Sequence, residues 1–135
     1  MIVACDGAAR GNPGPAGFGV HITDGDGTTL AEIAEGIGVA TNNVAEYRAA
    51  IAGLARAREL GATRILLRSD SKLLIEQLAG RFRVRNAGLK PLHAEATALM
   101  VGFDRVDLEH VPRERNREAD RLANVGVDRW LARNA

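Results

Sequence analysis

The sequence predicts an α/β fold, a mixed five-stranded sheet with helices packed on its faces. Two observations carry this. Three strand-like segments follow one another through residue 38, and beyond residue 42 helical periodicity alternates with short apolar runs. The length of 135 residues suits one domain, enough to bury about two-thirds of the surface an unfolded chain exposes.

The opening MIVAC is apolar on both alternating faces, as expected of a central strand covered on both sides. It ends at Asp6, and the Gly- and Pro-rich stretch DGAARGNPGPAGFG follows. In GFGVHIT, Phe18, Val20 and Ile22 alternate with Gly19, His21 and Thr23. DGDG (Asp24 to Gly27) marks a turn, and TTLAEIAEGIG pairs back, so the first three strands form an antiparallel meander. NNVAEYRAAIAGLARARELG then changes to helical period, with Val44, Tyr47, Ile51, Leu54 and Arg58 on one stripe. Asn43 is placed to cap this helix and Gly61 to stop it. ATRILLRSD is a buried strand reached through that helix, hence parallel to the first by a right-handed crossover. SKLLIEQLAG and LKPLHAEATALMVG read as helices, RVDLEHV as a half-exposed strand, and NREADRLANVGVDRWLAR as a closing helix. The expected order is βββαβααβα.

Composition narrows the function classes. Hydrophobic residues make up 46% and charged residues 26%, the balance of an ordinary globular chain. A net charge of +1 excludes a general electrostatic grip on nucleic acid, so such binding needs a local basic patch. The single cysteine, Cys5, rules out an internal disulfide and suits a reducing compartment. No signal-peptide pattern opens the chain and nowhere do ~18 apolar residues run together, so a cytoplasmic protein without membrane association is expected. The Ala-rich helices show no evident exposed apolar stripe, which favours a monomer. The end, DRWLARNA, is still helical in character, so residues 1–135 form a single domain that suits the N-terminal part of a longer protein as well.

Four acids stand where chemistry is plausible. Asp6 ends the first strand, Asp70 ends the fourth, and Glu46 and Asp120 lie in the first turns of the first and last helices. Singly, three of them have local explanations. Asn43 and Glu46 fit a capping box, Asp70 fits a cap for the helix near Ser71, and Asp120 complements the dipole of a helix capped by Asn116. Asp6 does not yield so easily, because an acid at the end of a doubly buried strand needs a cation or several N–H donors. If the first and fourth strands are neighbours, Asp6 and Asp70 emerge together at the carboxyl edge of the sheet. Clustered carboxylates without His or Cys would then call for Mg²⁺ or Mn²⁺ rather than Zn²⁺. Two such ions ~3.5–4 Å apart suit an in-line phosphoryl displacement.

Four blocks carry a family resemblance: DGAARGNPGPAGFG at 6–19, TNNVAEYRAAIAGL at 41–54, RSDSKLLIEQL at 68–78 and HVPRERNREADRLAN at 110–124. In this order and spacing the chain closely resembles the type 1 ribonuclease H family over nearly its whole length. The resemblance implies the ribonuclease H-like fold, with strand order 3-2-1-4-5, strands 1–3 antiparallel and 1, 4 and 5 parallel. It implies Mg²⁺-dependent endonucleolytic cleavage of the RNA strand of an RNA–DNA hybrid, with 5′-phosphate and 3′-hydroxyl products and Mn²⁺ able to substitute. The family's acidic tetrad falls on Asp6, Glu46, Asp70 and Asp120. By the same resemblance Asp6 would bridge two ions, Asp120 would help hold the ion serving the attacking water, and Glu46 and Asp70 the ion facing the leaving 3′-oxygen. Glu46 would also approach the 2′-hydroxyl that distinguishes RNA.

Gly11, Asn12, Thr41, Asn42 and Asn43 match positions that contact the hybrid backbone, with Thr41 where the family holds a DNA phosphate. Lys72 is placed to reach nucleic acid or to face solvent. Two departures stand out. The loop VPRERN has no histidine where many members carry a mobile one, so Arg113 is the candidate for part of that role and His110 is expected to be structural. In place of the basic handle there is only GRFRVRNAGLK (Gly80 to Lys90), a reduced DNA-binding surface or a solvated basic loop. Two alternatives stay open, a hybrid-binding module that does not cut and a nuclease of the same superfold that acts on DNA.

Overall fold

At the centre of the sheet lies β1 (Ile2–Ala9), whose Val3 and Cys5 are fully buried in the main core. Ile2 and Ala4 on the other face are only half-buried, so the strand is less completely covered than its apolar sequence predicts. The computed structural model describes residues 1–135. In it β1 pairs antiparallel with β2 (Gly14–Thr23), and β2 pairs antiparallel with β3 (Thr29–Ala40). On its other side β1 pairs parallel with β4 (Arg64–Ser69), which pairs parallel with β5 (Arg105–His110). The order β3-β2-β1-β4-β5 is the one expected, with the meander and the crossover both in place. Four helices complete the fold: α1 (Asn42–Glu59), α2 (Lys72–Leu78), α3 (Lys90–Val101) and α4 (Arg117–Arg133). A short 3₁₀ turn, Arg113–Arg115, precedes α4. No helix is long and apolar enough to cross a membrane.

The two faces of the sheet are built differently. On one, Val3, Cys5, Phe18, Val20 and Ile22 join Tyr47 and Leu54 of α1 and Leu67 and Leu74 beyond it in the main core. Each fully buried side chain of this size contributes ~1.5–3 kcal/mol. The buried Tyr47 hydroxyl donates to Gln77 Oε1 at 2.6 Å, joining α1 to α2. Cys5 belongs to this face, its thiol donating to Arg68 O at 3.5 Å. On the opposite face α4 lies almost on the backbone of β2. A Cβ on Gly19 would collide with Ala119 O, Ala123 N and Leu122 Cβ of α4, so only glycine permits this approach.

Several boundaries differ from the sequence reading. Asp6 lies within β1 rather than at its end, because the small residues Gly7 to Ala9 continue pairing with Phe18, Gly17 and Ala16. The third strand runs on to Ala40. That extension makes Thr41 the extended residue that caps α1, its Oγ1 accepting from Val44 N at 3.3 Å, so Asn43 is in the first turn and is not the cap. The capping box of Asn43 and Glu46 is therefore absent. Ser71, not Asp70, caps α2, its side chain accepting from Leu74 N at 3.2 Å. Asn116 holds the cap position of α4 but makes no side-chain cap bond.

The tight seat of α4 sets a test. Gly19→Ala should destabilise the protein by ~1–3 kcal/mol in urea unfolding through overpacking. Gly25→Ala, whose Cβ would meet nothing within 4 Å, should shift stability by less than ~0.5 kcal/mol. Equal losses in the two variants would rule out this account of the interface.

Candidate active site

Four carboxylates reach one groove from four separate elements. The pairing of β1 with β4 stops at Ala4 and Arg68, and the same register extended by two residues sets Asp6 beside Asp70. Asp70 directly follows the last residue of β4. From one face of the sheet, the start of α1 rests on β1 at Gly7, where a Cβ would collide with the backbone of Ala45 and Glu46; Glu46 itself lies just past the first turn, not within it as the sequence suggests. That contact delivers Glu46 to the end of the sheet. From the other face α4 brings Asp120, whose N–H donates to Asn116 O at 3.0 Å in the first helical turn. Asp6, Glu46, Asp70 and Asp120 all line an open groove of about 430 Å³, together with Asn42 and Arg113.

Burial first, and crowding of like charge after it, govern the electrostatics. Asp6 is only 5% exposed. Burial, then the charge of Asp70, then hydrogen bonding and charge from Asp120 push its carboxyl up to about 9. Burial likewise raises Glu46 to about 7; the Ser71 hydroxyl, donating toward it, opposes the rise, and Asp70 adds to it. The groove thus disfavours its own ionised form, which a divalent cation held by these carboxylates would relieve. The donor set fits: the ionisable ligands lining the groove are carboxylates, with neither His nor Cys among them.

The other predicted residues divide. Asn42 and Arg113 line the groove, the latter with Nη2 3.7 Å from Asp120 Oδ1. Gly11, Asn12, Thr41, Asn43 and Lys72 do not line it. Asn12 instead supports it, Oδ1 accepting from Asn42 N at 3.0 Å, while Asn42 Oδ1 accepts from Ala9 N at 3.0 Å. This reciprocal clasp fixes the turn between β1 and β2 against the start of α1. Gly11 sits in that turn, Asn43 and Lys72 are exposed, and Lys72 opens α2 where its charge acts on Glu76. His110 lies outside the groove with Nε2 3.3 Å from Asp70 O. In the basic stretch between α2 and α3, Arg81 is doubly bonded to Glu76 and Phe82 is 43% exposed.

Arg10 and Asn124 escaped the sequence reading, which gives Asn116 only as a helix cap. Buried Asn116 gives its amide N–H to Cys5 O at 3.0 Å, tying the start of α4 to β1 one residue before Asp6, while its Oδ1 is buried without a partner. Arg10 and Asn124 also line the groove. Nothing local in the sequence marks them, since their roles arise from contacts between distant segments. A separate grouping, His21, Glu32 and Glu118, has ligand atoms within 4.8 Å of one another. Arg121 already bridges Glu32 and Glu118 there, at 2.8 and 2.9 Å.

Comparison with known proteins agrees with this architecture. A family model described as reverse transcriptase-like matches residues 4–126. Bifunctional protein Rv2228c of Mycobacterium tuberculosis is 50% identical over 95% of this chain, and ribonuclease HI of Halobacterium salinarum is 46% identical over 91%. The chain spans 35% and 62% of the length of these two relatives. The crystal structure of LC11-RNase H1 in complex with RNA/DNA hybrid superposes with a TM-score of 0.91 at 40% identity, covering 96% of this chain and 98% of that one. A sheet of this order with an acidic groove at the end of its central strand defines a class of nucleases and their relatives. The chain belongs to the type 1 ribonuclease H family.

The raised carboxyls fix the sign of a pH dependence. With divalent cations chelated, Asp6 holds its proton to about 9 when folded against 3.8 in the reference state, and Glu46 to about 7 against 4.5. The folded state therefore binds more protons than the unfolded one between these values, and stability falls as pH rises through the window. The thermal midpoint in EDTA should decline from about pH 5 to about pH 9. Asp6→Asn should flatten the decline and be at least as stable as the parent at the upper end. A midpoint that rises across the window would contradict the crowding.

Proposed function

We propose that this chain is a divalent-cation-dependent endoribonuclease that cuts the RNA strand of RNA–DNA hybrids, leaving 5′-phosphate and 3′-hydroxyl ends. The observation that carries the reading is the convergence of four carboxylates on one open groove, with Asp6 buried among them and pushed up to about 9. A protein that only binds nucleic acid gains nothing from setting concentrated negative charge opposite phosphates. The hybrid found with LC11-RNase H1, a relative of the same fold, supports the choice of substrate.

Asp6, Glu46, Asp70 and Asp120 would hold two Mg²⁺ ions, with Mn²⁺ able to substitute. Such ions, when bound, supply a water of lowered pKa and neutralise charge on the leaving 3′-oxygen. The rest falls to the side chains. Asp6, shared between Asp70 and Asp120, is the carboxylate placed to serve both sides of the groove. Ser71, close to Glu46, favours its ionised form and so opposes the rise that burial imposes. The Oδ1 of Asn42 is committed to Ala9 N, which leaves its N–H groups as donors for a sugar or phosphate oxygen. Donors of this kind beside Glu46 suit recognition of a 2′-hydroxyl. Arg113, 76% exposed at the rim, adds a cation beside Asp120 that draws in the phosphate.

One assay tests the reading. Matched RNA–DNA hybrid, double-stranded RNA, double-stranded DNA and single strands are incubated with Mg²⁺ or Mn²⁺. Cleavage should be confined to the RNA of the hybrid and vanish with EDTA. Asp70→Asn should lower the rate by more than ~100-fold, since even groups that merely support metal ligands cost ~10–100-fold when removed. Hybrid binding without metal-dependent cleavage would refute the proposal in favour of a binding module. Cleavage of the DNA duplex would point to a DNA-directed nuclease.

A further inference from the structure

Arg10 is one of only two cations lining a groove that holds four carboxylates; the other is Arg113. Its backbone is fixed, Arg10 N donating to Pro15 O at 2.8 Å. Its guanidinium reaches away from β1 to α4, with Nη1 2.7 Å from Asp128 Oδ1 and Nη2 3.4 Å from Asn124 Oδ1. Asn124 and Asp128 stand one and two turns beyond Asp120 on the same stripe of α4, roughly 6 and 12 Å along the helix. The guanidinium thus lies along the groove, a short step from the carboxylate cluster.

The partner that holds Arg10 is a weak one. The side chains of Arg10 and Asp128 are 42% and 64% exposed, and pairs this open to water contribute little. A phosphate offers the planar fork of arginine two oxygens at once and binds it more strongly than an exposed carboxylate does. We propose, resting on the hybrid-cleaving function above, that Arg10 grips the substrate: its guanidinium leaves Asp128 for a backbone phosphate neighbouring the one held at the carboxylates. Asp128 keeps the arginine extended along the groove until the strand arrives. Because that acid also repels the incoming phosphate, its removal helps binding.

The test compares the parent chain with Arg10→Ala, Arg10→Gln and Asp128→Ala in steady-state cleavage of a hybrid with Mg²⁺, across a series of potassium chloride concentrations. Loss of a charge-assisted contact should raise KM about tenfold in both Arg10 variants, with kcat within about twofold of the parent. The slope of log kcat/KM against log salt should become shallower by about one, the mark of one phosphate contact fewer. Asp128→Ala should keep the parent slope and match or lower its KM. An unchanged slope in both Arg10 variants, or a loss in Asp128→Ala equal to theirs, would overturn the proposal and leave the pair as a brace of the turn. A parent chain that cleaves no hybrid would overturn the functional reading and this inference together. A cleaving parent with unmoved Arg10 variants would overturn this inference alone.

Discussion

Four negative charges forced into one groove are the constraint on which the rest of the molecule depends. Burial and mutual repulsion together disfavour their ionised forms, and the Asp6 carboxyl is pushed up to about 9. What forces them together is backbone packing rather than attraction between the side chains. The start of α1 is pressed onto β1 at Gly7 and α4 onto β2 at Gly19, so two helices from opposite faces deliver Glu46 and Asp120 to the same end of the same strand. The core supplies the stability that this arrangement spends, chiefly through the apolar side chains between the sheet and α1.

Polar contacts then decide how firmly each wall of the groove is held. The clasp between Asn12 and Asn42 makes the β1–β2 turn and the head of α1 one unit. Asn116, bonded to Cys5 O, does the same for α4 and β1. On the side of Arg113 the side chain approaches Asp120 at 3.7 Å, and its carbonyl accepts from Asn116 N at 2.9 Å.

Much of this was legible in the sequence, for reasons that particular residues make plain. The alternation of Phe18, Val20 and Ile22 and the helical stripe through Tyr47 and Leu54 gave the elements, because burial on one face imposes a period. The four acids could be named because each stood at the end of an apolar run or near the start of a helix, although Glu46 falls just past the first turn of α1 where the first turn itself was expected. Details that depend on backbone pairing were not legible. TNN offers three side chains in a row able to cap a helix, and only the extension of β3 to Ala40 selects Thr41. Gly7 to Ala9 have little strand propensity, so their pairing with β2 had to be imposed by the meander. Arg10 and Asn124 stand 114 positions apart, and no local pattern announces a contact of that kind.

The one cysteine carries a consequence of the same crowding. Cys5 is fully buried, and its thiol is pushed far up, first by burial and then by the charges of Asp6, Glu46 and Asp70 behind it. Oxidants and alkylating agents attack the thiolate, which this site does not allow to form. Burial first, and the acids gathered for phosphate chemistry after it, thus hold the neighbouring sulfur in its unreactive thiol form.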